Sequence, residues 1–482
     1  MTEELRPTRG GALSLVVNGQ CLHSLYDPVK EAFRFLHSLH LPAHTGNEIL
    51  IVLEPGLGYL IQALIEEKAN PSIIIIHVSP FCKEHDPYSS VYPVWSPRQE
   101  EGLFSFLEHH IPEGSTLRLI EWPPAEKAYG SSYRAIKQTI LNFIHQEEAN
   151  TRTVQNFGKR WLRNFLINLR QLTVPLWFEQ GDQPLIICGA GPSLEDTVPL
   201  IQKALTEGNC GLLAVSSATA VLTAHRLYPS LVLTTDGGFW ARYHGFEVRR
   251  STACPLCIYL GAQVPSPLSE RPWLLCTDGS LWQGQFLRIL NLPFLHLPQR
   301  GTVSATALDV ALELTRGPLY ITGFDMGFRD MQSHARPYSL DRLLEINQNR
   351  CHPYYSSQWE RTKMLQQGGA FQVYASWFRE HLVQYPARLK YFGSQSPSHL
   401  THLPSVSQVE GTATSPTRWY RVPWTPPSSS KEILAIFDMI IHDGSTGTYV
   451  QRELQKLLGL PQDERPHILM EELLQLTGKY YE

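Results

Sequence analysis

The sequence predicts an α/β chain: two Rossmann-like, doubly wound domains joined by helices, followed by a mostly helical C-terminal segment. Three observations carry that expectation. Short runs of branched aliphatic residues alternate with helix-compatible stretches, the pattern of a mainly parallel sheet buried on both faces. Twice a run ends in a Gly-x-Gly turn that opens a helix, at Glu54-Pro55-Gly56-Leu57-Gly58 and at Gly189-Ala190-Gly191-Pro192-Ser193. Between the two lies a long amphipathic stretch. There Tyr133, Ile136, Ile140, Phe143 and Ile144, and then Trp161, Phe165 and Leu169, recur at steps of three and four.

The chain has 482 residues, too many for one compact domain at roughly 150 residues each. Hydrophobic residues make up 43% and charged residues 18%, which supplies ample core and excludes a disordered chain. The 41 basic and 45 acidic residues leave a net charge of −4 with no Lys/Arg block. An electrostatically driven nucleic-acid or membrane-surface protein is therefore not expected. The opening MTEELRPTRGGALSLVVNG lacks a signal peptide's apolar core. Apolar runs such as Ile73–Ile76 and Leu212–Val215 fall far short of the ~20 residues of a spanning helix. The expectation is a soluble, cytoplasmic chain without membrane insertion. The 8 cysteines are scattered, and the one close pair, Cys254-x-x-Cys257, has no second pair or matching histidines. Reduced core cysteines and no metal site are expected.

Residues 1–130 read as the first Rossmann-like domain. Ile49–Leu53 and Ile73–Val78 are its buried strands, with Tyr59–Glu67 as the helix between them. The acidic residue expected after the second strand is missing, for the chain there is His77-Val78-Ser79-Pro80. The first Gly-x-Gly turn thus also fits a tight turn with close helix packing. Residues 131–180 read as the helical connector. Residues 181–392 read as the central domain, with strands at Leu185–Cys188, Leu212–Val215, Leu231–Thr234, Trp273–Cys276, Phe294–Leu297 and Leu319–Thr322. Residues 393–482 read as a linker and helical domain. SQSPSHLTHLPS and PWTPPSSS are surface connections there, Ser429 and Glu432 form a capping box, and helical pieces break at Pro461 and Pro466.

Ligands of an open α/β sheet bind outside the carboxyl ends of its strands. Four such ends carry small or polar residues: Gly189–Ser193, Ser216-Ser217, Thr235-Asp236-Gly237-Gly238 and Gly323-Phe324-Asp325. A helix start after Gly189–Ser193 offers free N–H groups to a phosphate, and Thr302-Val303-Ser304 opens a second such helix. The same residues serve equally as turns and caps: Ser193, Thr302 and Ser304 as N-caps, Asp236 and Asp325 as turn or loop aspartates.

In this order, GAGPSLED, AVSSATA, LTTDGGFW, GTVSATALDVALEL and PLYITGFDMGF resemble the central domain of motility accessory factor proteins. These are flagellin glycosyltransferases that attach nonulosonic, sialic-acid-like sugars to Ser/Thr. His23-Ser24-Leu25-Tyr26-Asp27-Pro28 and Glu54–Tyr59 resemble that family's N-terminal domain, so the likeness covers roughly residues 20–390. The central motifs are also similar to those of bacterial sialyltransferases and archaeal hydroxymethylpterin pyrophosphokinases. The resemblance implies a CMP-linked nonulosonic acid as donor, flagellin as acceptor and no required cofactor. It implies that Gly189, Gly191, Pro192 and Ser193 lie against the donor's phosphate or ribose. Ser216 and Asp236 would face the nucleotide or sugar, and Thr302, Ser304, Gly323 and Asp325 would line the opposite wall. Thr302-Val303-Ser304 stands where sialyltransferases tend to have Thr-Ser-Gly. The base would be His334, in Ser333-His334-Ala335-Arg336, or His352, in His352-Pro353-Tyr354-Tyr355. Tyr354 and Tyr355 would donate to the phosphate and Arg336 would pair with the sugar's carboxylate. A pterin diphosphokinase using ATP and magnesium, and a non-catalytic flagellin-binding module, are the alternatives.

Overall fold

The computed structural model describes residues 2–481 apart from 42–47, 68–70, 113–114, 209, 251–253, 266–267, 269, 299, 368, 383–384, 386, 412–414 and 462–465. The chain divides into two compact units, Met1–Val154 and Gln155–Glu482. The division falls inside the 41-residue helix Ser131–Gln171. No described helix is long and apolar enough to cross a membrane.

The first unit opens with an antiparallel sheet of β1 (Glu3–Pro7), β2 (Leu13–Val17) and β3 (Gln20–Cys21). Four parallel strands follow: β4 (Glu48–Leu53), β5 (Ser72–Ile76), β6 (Val94–Trp95) and β7 (Thr116–Glu121), in the order β6-β5-β4-β7. All six residues of β4 and the four isoleucines of β5 are buried, because helices cover both faces of a parallel sheet. Proline opens the helices Pro28–Ser38 and Pro80–His85, where its missing N–H costs nothing. Asp27 and Ser79 cap them by accepting the N–H groups of Lys30 and Phe81.

The second unit holds β8 (Val174–Glu179), β9 (Leu185–Cys188), β10 (Gly211–Val215), β11 (Leu231–Thr234), β12 (Leu256–Tyr259), β13 (Pro272–Thr277), β14 (Leu295–His296), β15 (Leu319–Thr322), β16 (Leu389–Phe392), β17 (Ser405–Val406) and β18 (Arg418–Arg421). They form one 11-stranded sheet ordered β17-β16-β15-β9-β10-β11-β12-β13-β8-β18, with β14 on β13. Every pairing is parallel except β18 with β8. Strand order reverses at β9: β10 to β13 extend one way and β15 to β17 the other. This places a topological switch point between β9 and β15, where open α/β sheets bind their ligands. The register sets Thr322 beside Cys188, so both strands end level.

The stretch after Tyr391 is more structured than its composition suggests. It contributes β17 and β18, and His399, Leu400 and Leu403 inside SQSPSHLTHLPS are buried. The His399 ring pairs with the Phe324 carbonyl at 3.0 Å. Ser429 caps the helix Ser430–Ile441 as its spacing predicts, while Glu432 accepts the N–H of Ser428. The helices Ser430–Ile441, Gly447–Leu458 and Pro466–Tyr480 belong to the second unit. Phe437 packs its ring 4.9 Å from that of Phe286 on the helix Leu281–Ile289.

Candidate functional site

At the switch point the two strand-end loops pack backbone against backbone. Gly189 donates its N–H to the Thr322 carbonyl at 2.8 Å and Gly191 to that of Gly323 at 2.7 Å. A Cβ on Gly189 would meet the Gly323 oxygen at 2.4 Å, and one on Gly323 would meet the Gly189 oxygen at 2.4 Å. Gly323 also has φ +71°, which favours glycine. These glycines therefore allow the two loops to approach each other.

The helix Leu194–Thr206 opens directly beside this contact. Its first free donor is already used: the Ser193 N–H points at Asp325, 3.1 and 3.2 Å from the carboxylate oxygens. The Ser193 hydroxyl donates to Oδ2 at 2.8 Å. The anion at this helix start is thus the chain's own Asp325. Burial raises that carboxyl's pKa, and the bonds from Ser193 pull against the rise. Ser193 makes no side-chain cap to its own helix. Gly189, Gly191, Pro192, Ser193, Gly323 and Asp325 are brought together, but in contact with one another.

The segment holding Ser333-His334-Ala335-Arg336 is pinned to the β9 loop. Ala335 donates to the Ala190 carbonyl at 2.8 Å and the Arg336 N–H to Glu195 at 2.7 Å. Arg329 bonds Asp196 at 2.6 Å and the Pro192 carbonyl at 2.5 Å. The His334 ring stacks on Tyr338 with centroids 4.2 Å apart, and its Nδ1 lies 2.8 Å from the Ser333 hydroxyl. Tyr338 also faces His244 at 5.4 Å and the Arg361 guanidinium at 5.1 Å. Burial, with Arg361 and His244 adding to it, holds the His334 pKa down to about 3. Burial likewise lowers His244 to about 4, against the pull of Asp236. Both imidazoles are neutral at neutral pH.

Asp236 sits exposed at the end of β11, its Oδ1 accepting the Gly238 N–H at 2.7 Å, a turn closed by the residue itself. Its charge still reaches His244 and Tyr338. Ser216 is buried at the end of β10, where its carbonyl accepts the Thr219 hydroxyl at 2.6 Å. Thr302 occupies the N-cap position of the helix Val303–Leu314 without a side-chain cap bond, and Ser304 is buried in its first turn. That helix packs across β9 and β10.

The other predicted histidine element takes a different place. The His352 N–H donates to Asn349 at 3.0 Å and its side chain is exposed. Tyr355 is 73% exposed, and the Tyr354 hydroxyl accepts from Gln358 at 2.9 Å. The helix Tyr354–Gln367 turns Gln358, Arg361 and Thr362 inward instead: Gln358 bonds Asp341 at 2.9 Å, and the Thr362 hydroxyl bonds the Met331 carbonyl at 2.6 Å. His352 and Tyr355 therefore do not join the His334 group.

Two features escaped the sequence reading. A polar cavity of about 390 Å³ opens beside Ser193, Asp196, Thr197, Asp325 and Tyr391, walled by residues 393–398. The Ser/Pro-rich composition of that wall reads as a plain surface connection. The second feature is an i,i+4 asparagine pair on the long helix. Asn164 donates to the carbonyls of Gly237 (3.2 Å) and Gly261 (3.0 Å), and Asn168 to those of Leu260 (2.7 Å) and Ala262 (2.8 Å). The pair ties down the loops after β11 and β12, including the turn that carries Asp236. Polar residues within the apolar stripe of Trp161, Phe165 and Leu169 were the signal that could have revealed it.

Residues 136–331 match the family model described as "6-hydroxymethylpterin diphosphokinase MptE-like". Two proteins of Treponema pallidum (strain Nichols), both described as uncharacterized, are similar. One is 29% identical over 259 residues, covering 52% of this chain and 57% of the relative. The other is 24% identical over 218 residues, covering 41% of this chain and 72% of the relative. The chain thus spans little more than half the length of the first. A solved structure, the Maf glycosyltransferase from Magnetospirillum magneticum AMB-1, is similar with a TM-score of 0.46 and 15% identity, over 100% of this chain and 87% of that one.

Proposed function

We propose that this chain is a glycosyltransferase that moves a nonulosonic sugar from a CMP donor to Ser/Thr hydroxyls of flagellin, supporting flagellar assembly and motility. The ordered motifs support the donor and acceptor assignment. The observation that carries the reading is the neutral His334, in a segment pinned to the β9 loop, beside Arg361 and beside His244, the ring that the charge of Asp236 reaches.

A CMP-linked 2-keto sugar acid reacts through an oxocarbenium-like transition state. The bond from the anomeric carbon to the phosphate oxygen breaks, and CMP leaves with the electron pair. The acceptor oxygen forms the new bond and gives up its proton to a base. His334 fits that base in the tautomer whose Nδ1–H donates to the Ser333 hydroxyl, which leaves Nε2 free to take the proton. Burial first, and then Arg361 and His244, leave its pKa too low for an efficient base before the donor binds. The donor carries a phosphate and a carboxylate, and binding them near Arg361 raises the imidazole's basicity where it is needed. Arg361 also offers the sugar carboxylate a guanidinium, since Arg336 is engaged by Glu195. The leaving group is already activated, so the step calls for no cofactor.

The test is a thermal shift with CMP, CTP, ATP and GTP, with and without magnesium, followed by transfer assays on variants. Metal-independent stabilisation by cytidine nucleotides is expected. Asp236→Ala is expected to keep the fold and abolish transfer, and His334→Ala to slow transfer while CMP binding survives. Normal flagellin glycan mass from the Asp236 variant would remove that residue from the site.

The family description favours one other reading, a diphosphokinase acting on a pterin with ATP and magnesium. Asp325, Asp196 and Asp236 accept from Ser193, Arg329 and Gly238, so magnesium would have to displace or share those bonds. Stabilisation by ATP with magnesium alone would support it. No response to any nucleotide would indicate a non-catalytic flagellin-binding module.

A further inference from the structure

The parallel sheet of the first unit ends in a sealed polar cluster that plays no part in the proposed reaction. Glu54 follows β4, His77 follows β5, and Cys82 and Asp86 lie on and just after the helix Pro80–His85. The side chains of Glu54, His77 and Asp86 are wholly buried, and so is Cys82. The Glu54 backbone adopts φ +49°, a left-handed conformation that a side-chain-bearing residue rarely takes. Such strain persists where the surroundings hold the residue in place, commonly at functional sites. It directs the carboxylate inward, to 3.1 Å from His77 Nδ1. On the far side of the same ring, Nε2 lies 3.2 Å from Asp86 Oδ2.

We propose that Glu54, His77 and Cys82 form a binding site for a zinc-class divalent cation, with Asp86 as the carboxylate that orients the histidine. One oxygen of Glu54, one ring nitrogen of His77 and the Cys82 sulfur lie within 4.8 Å of one another. A tetrahedral zinc site brings such atoms to roughly 3.5 Å. Glu54 and His77 already stand closer than that, so Cys82 makes the closing movement. A ring nitrogen facing two other ligand atoms, with the opposite nitrogen on a carboxylate, is the arrangement by which metal-binding histidines are held. The Tyr129 hydroxyl, which donates to Glu3 at 3.2 Å and lies 3.0 Å from the Cys82 sulfur, would turn to donate to the thiolate once the metal has displaced the thiol proton. A mixed S, N and O set selects zinc-like ions over magnesium or calcium.

The charge balance closes. A divalent cation takes the place of two protons, one from His77 and one from the Cys82 thiol, so the net charge of the cluster is unchanged. With its protein ligands buried, the site is structural: a water carried in with the cation takes the fourth position, and the metal ties the ends of β4 and β5 to the helix Pro80–His85.

The test uses the full-length chain, stripped with a chelator and titrated with Co²⁺. One equivalent is expected to produce a thiolate-to-cobalt charge-transfer band with the intense visible bands of a tetrahedral site, and Zn²⁺ is expected to abolish both. The band should vanish in Cys82→Ala and persist in Cys257→Ala. Zn²⁺ alone should raise the unfolding midpoint of the wild type and leave that of Cys82→Ala unchanged. No charge-transfer band in the wild type, or a band that survives Cys82→Ala, overturns the proposal. The wild-type titration decides even if a variant fails to fold.

Discussion

The two Gly-x-Gly turns invite comparison, because the same local motif does different work in the two units. In the first, a Cβ on Gly56 would lie 2.2 Å from His23 Nε2, and one on Gly58 would lie 2.4 Å from Asp86. His23 Nε2 accepts the Leu57 N–H at 2.9 Å, and burial holds that ring's pKa down to about 4. The glycines make room for the chain's own side chains, and the strand ends are sealed. In the second unit the glycines make room for the neighbouring loop and for Asp325, while an open polar cavity and an exposed Asp236 remain alongside. A Gly-x-Gly turn therefore announces a close approach without saying what approaches.

The largest expected effect lies in the sealed turn. His77→Leu leaves Glu54 and Asp86 facing each other in the core, and stability should fall by about 3–5 kcal/mol in urea unfolding. A loss below about 1 kcal/mol would mean that the first turn is not locked by paired charge.

In the second unit, Glu453 on the helix Gly447–Leu458 reaches the N–H groups of Leu281 and Trp282 at 3.0 and 2.8 Å. Burial, with Asp278 adding to it, pushes its pKa up to about 7, against the pull of those bonds and of Lys456. The folded state thus binds the proton more tightly than the unfolded chain does. The associated stability is present below pH about 4.5 and is lost as pH rises to about 7, a change of roughly 3 kcal/mol at most. Glu453→Gln should flatten that slope. An unchanged slope would show that the C-terminal helices do not support this unit through Glu453.

Gly189→Ala drives a methyl group into the Gly323 backbone and should cost about 1–3 kcal/mol by the same urea measurement. A neutral result would show that the two loops separate easily and would make their junction a space for ligand. Smallest is Ser193→Ala, which removes one hydroxyl bond to Asp325 and should cost about 1 kcal/mol. The thermal response to CMP should survive it. Loss of that response would return Ser193 to the ligand side of the comparison.

Much of the architecture is legible from local pattern. The isoleucine run of β5 and the aliphatic runs of β9 to β11 announce buried strands, and Ser429 with Glu432 marks a helix start two elements from the end of the chain. The site is less legible. His334 is named by its motif, yet its burial, and Arg361 and His244, which add to the effect of burial on its protonation, carry no local signal. Asp325 reads as a strand-end carboxylate in the sequence, but its partner Ser193 lies 132 residues away. The wall of the cavity is hidden in a Ser/Pro-rich stretch, because composition reports solvent affinity and not neighbours.

Periodicity and turn chemistry are properties of adjacent residues, so the alternation of strands and helices and the positions of the glycine turns follow from the chain order alone. What fills each turn is a matter of which distant side chain arrives there: His23 and Asp86 in one case, Gly323 and Asp325 in the other. That choice depends on strand order and register, which bring residues together across the sheet. No stretch of a dozen residues contains that information.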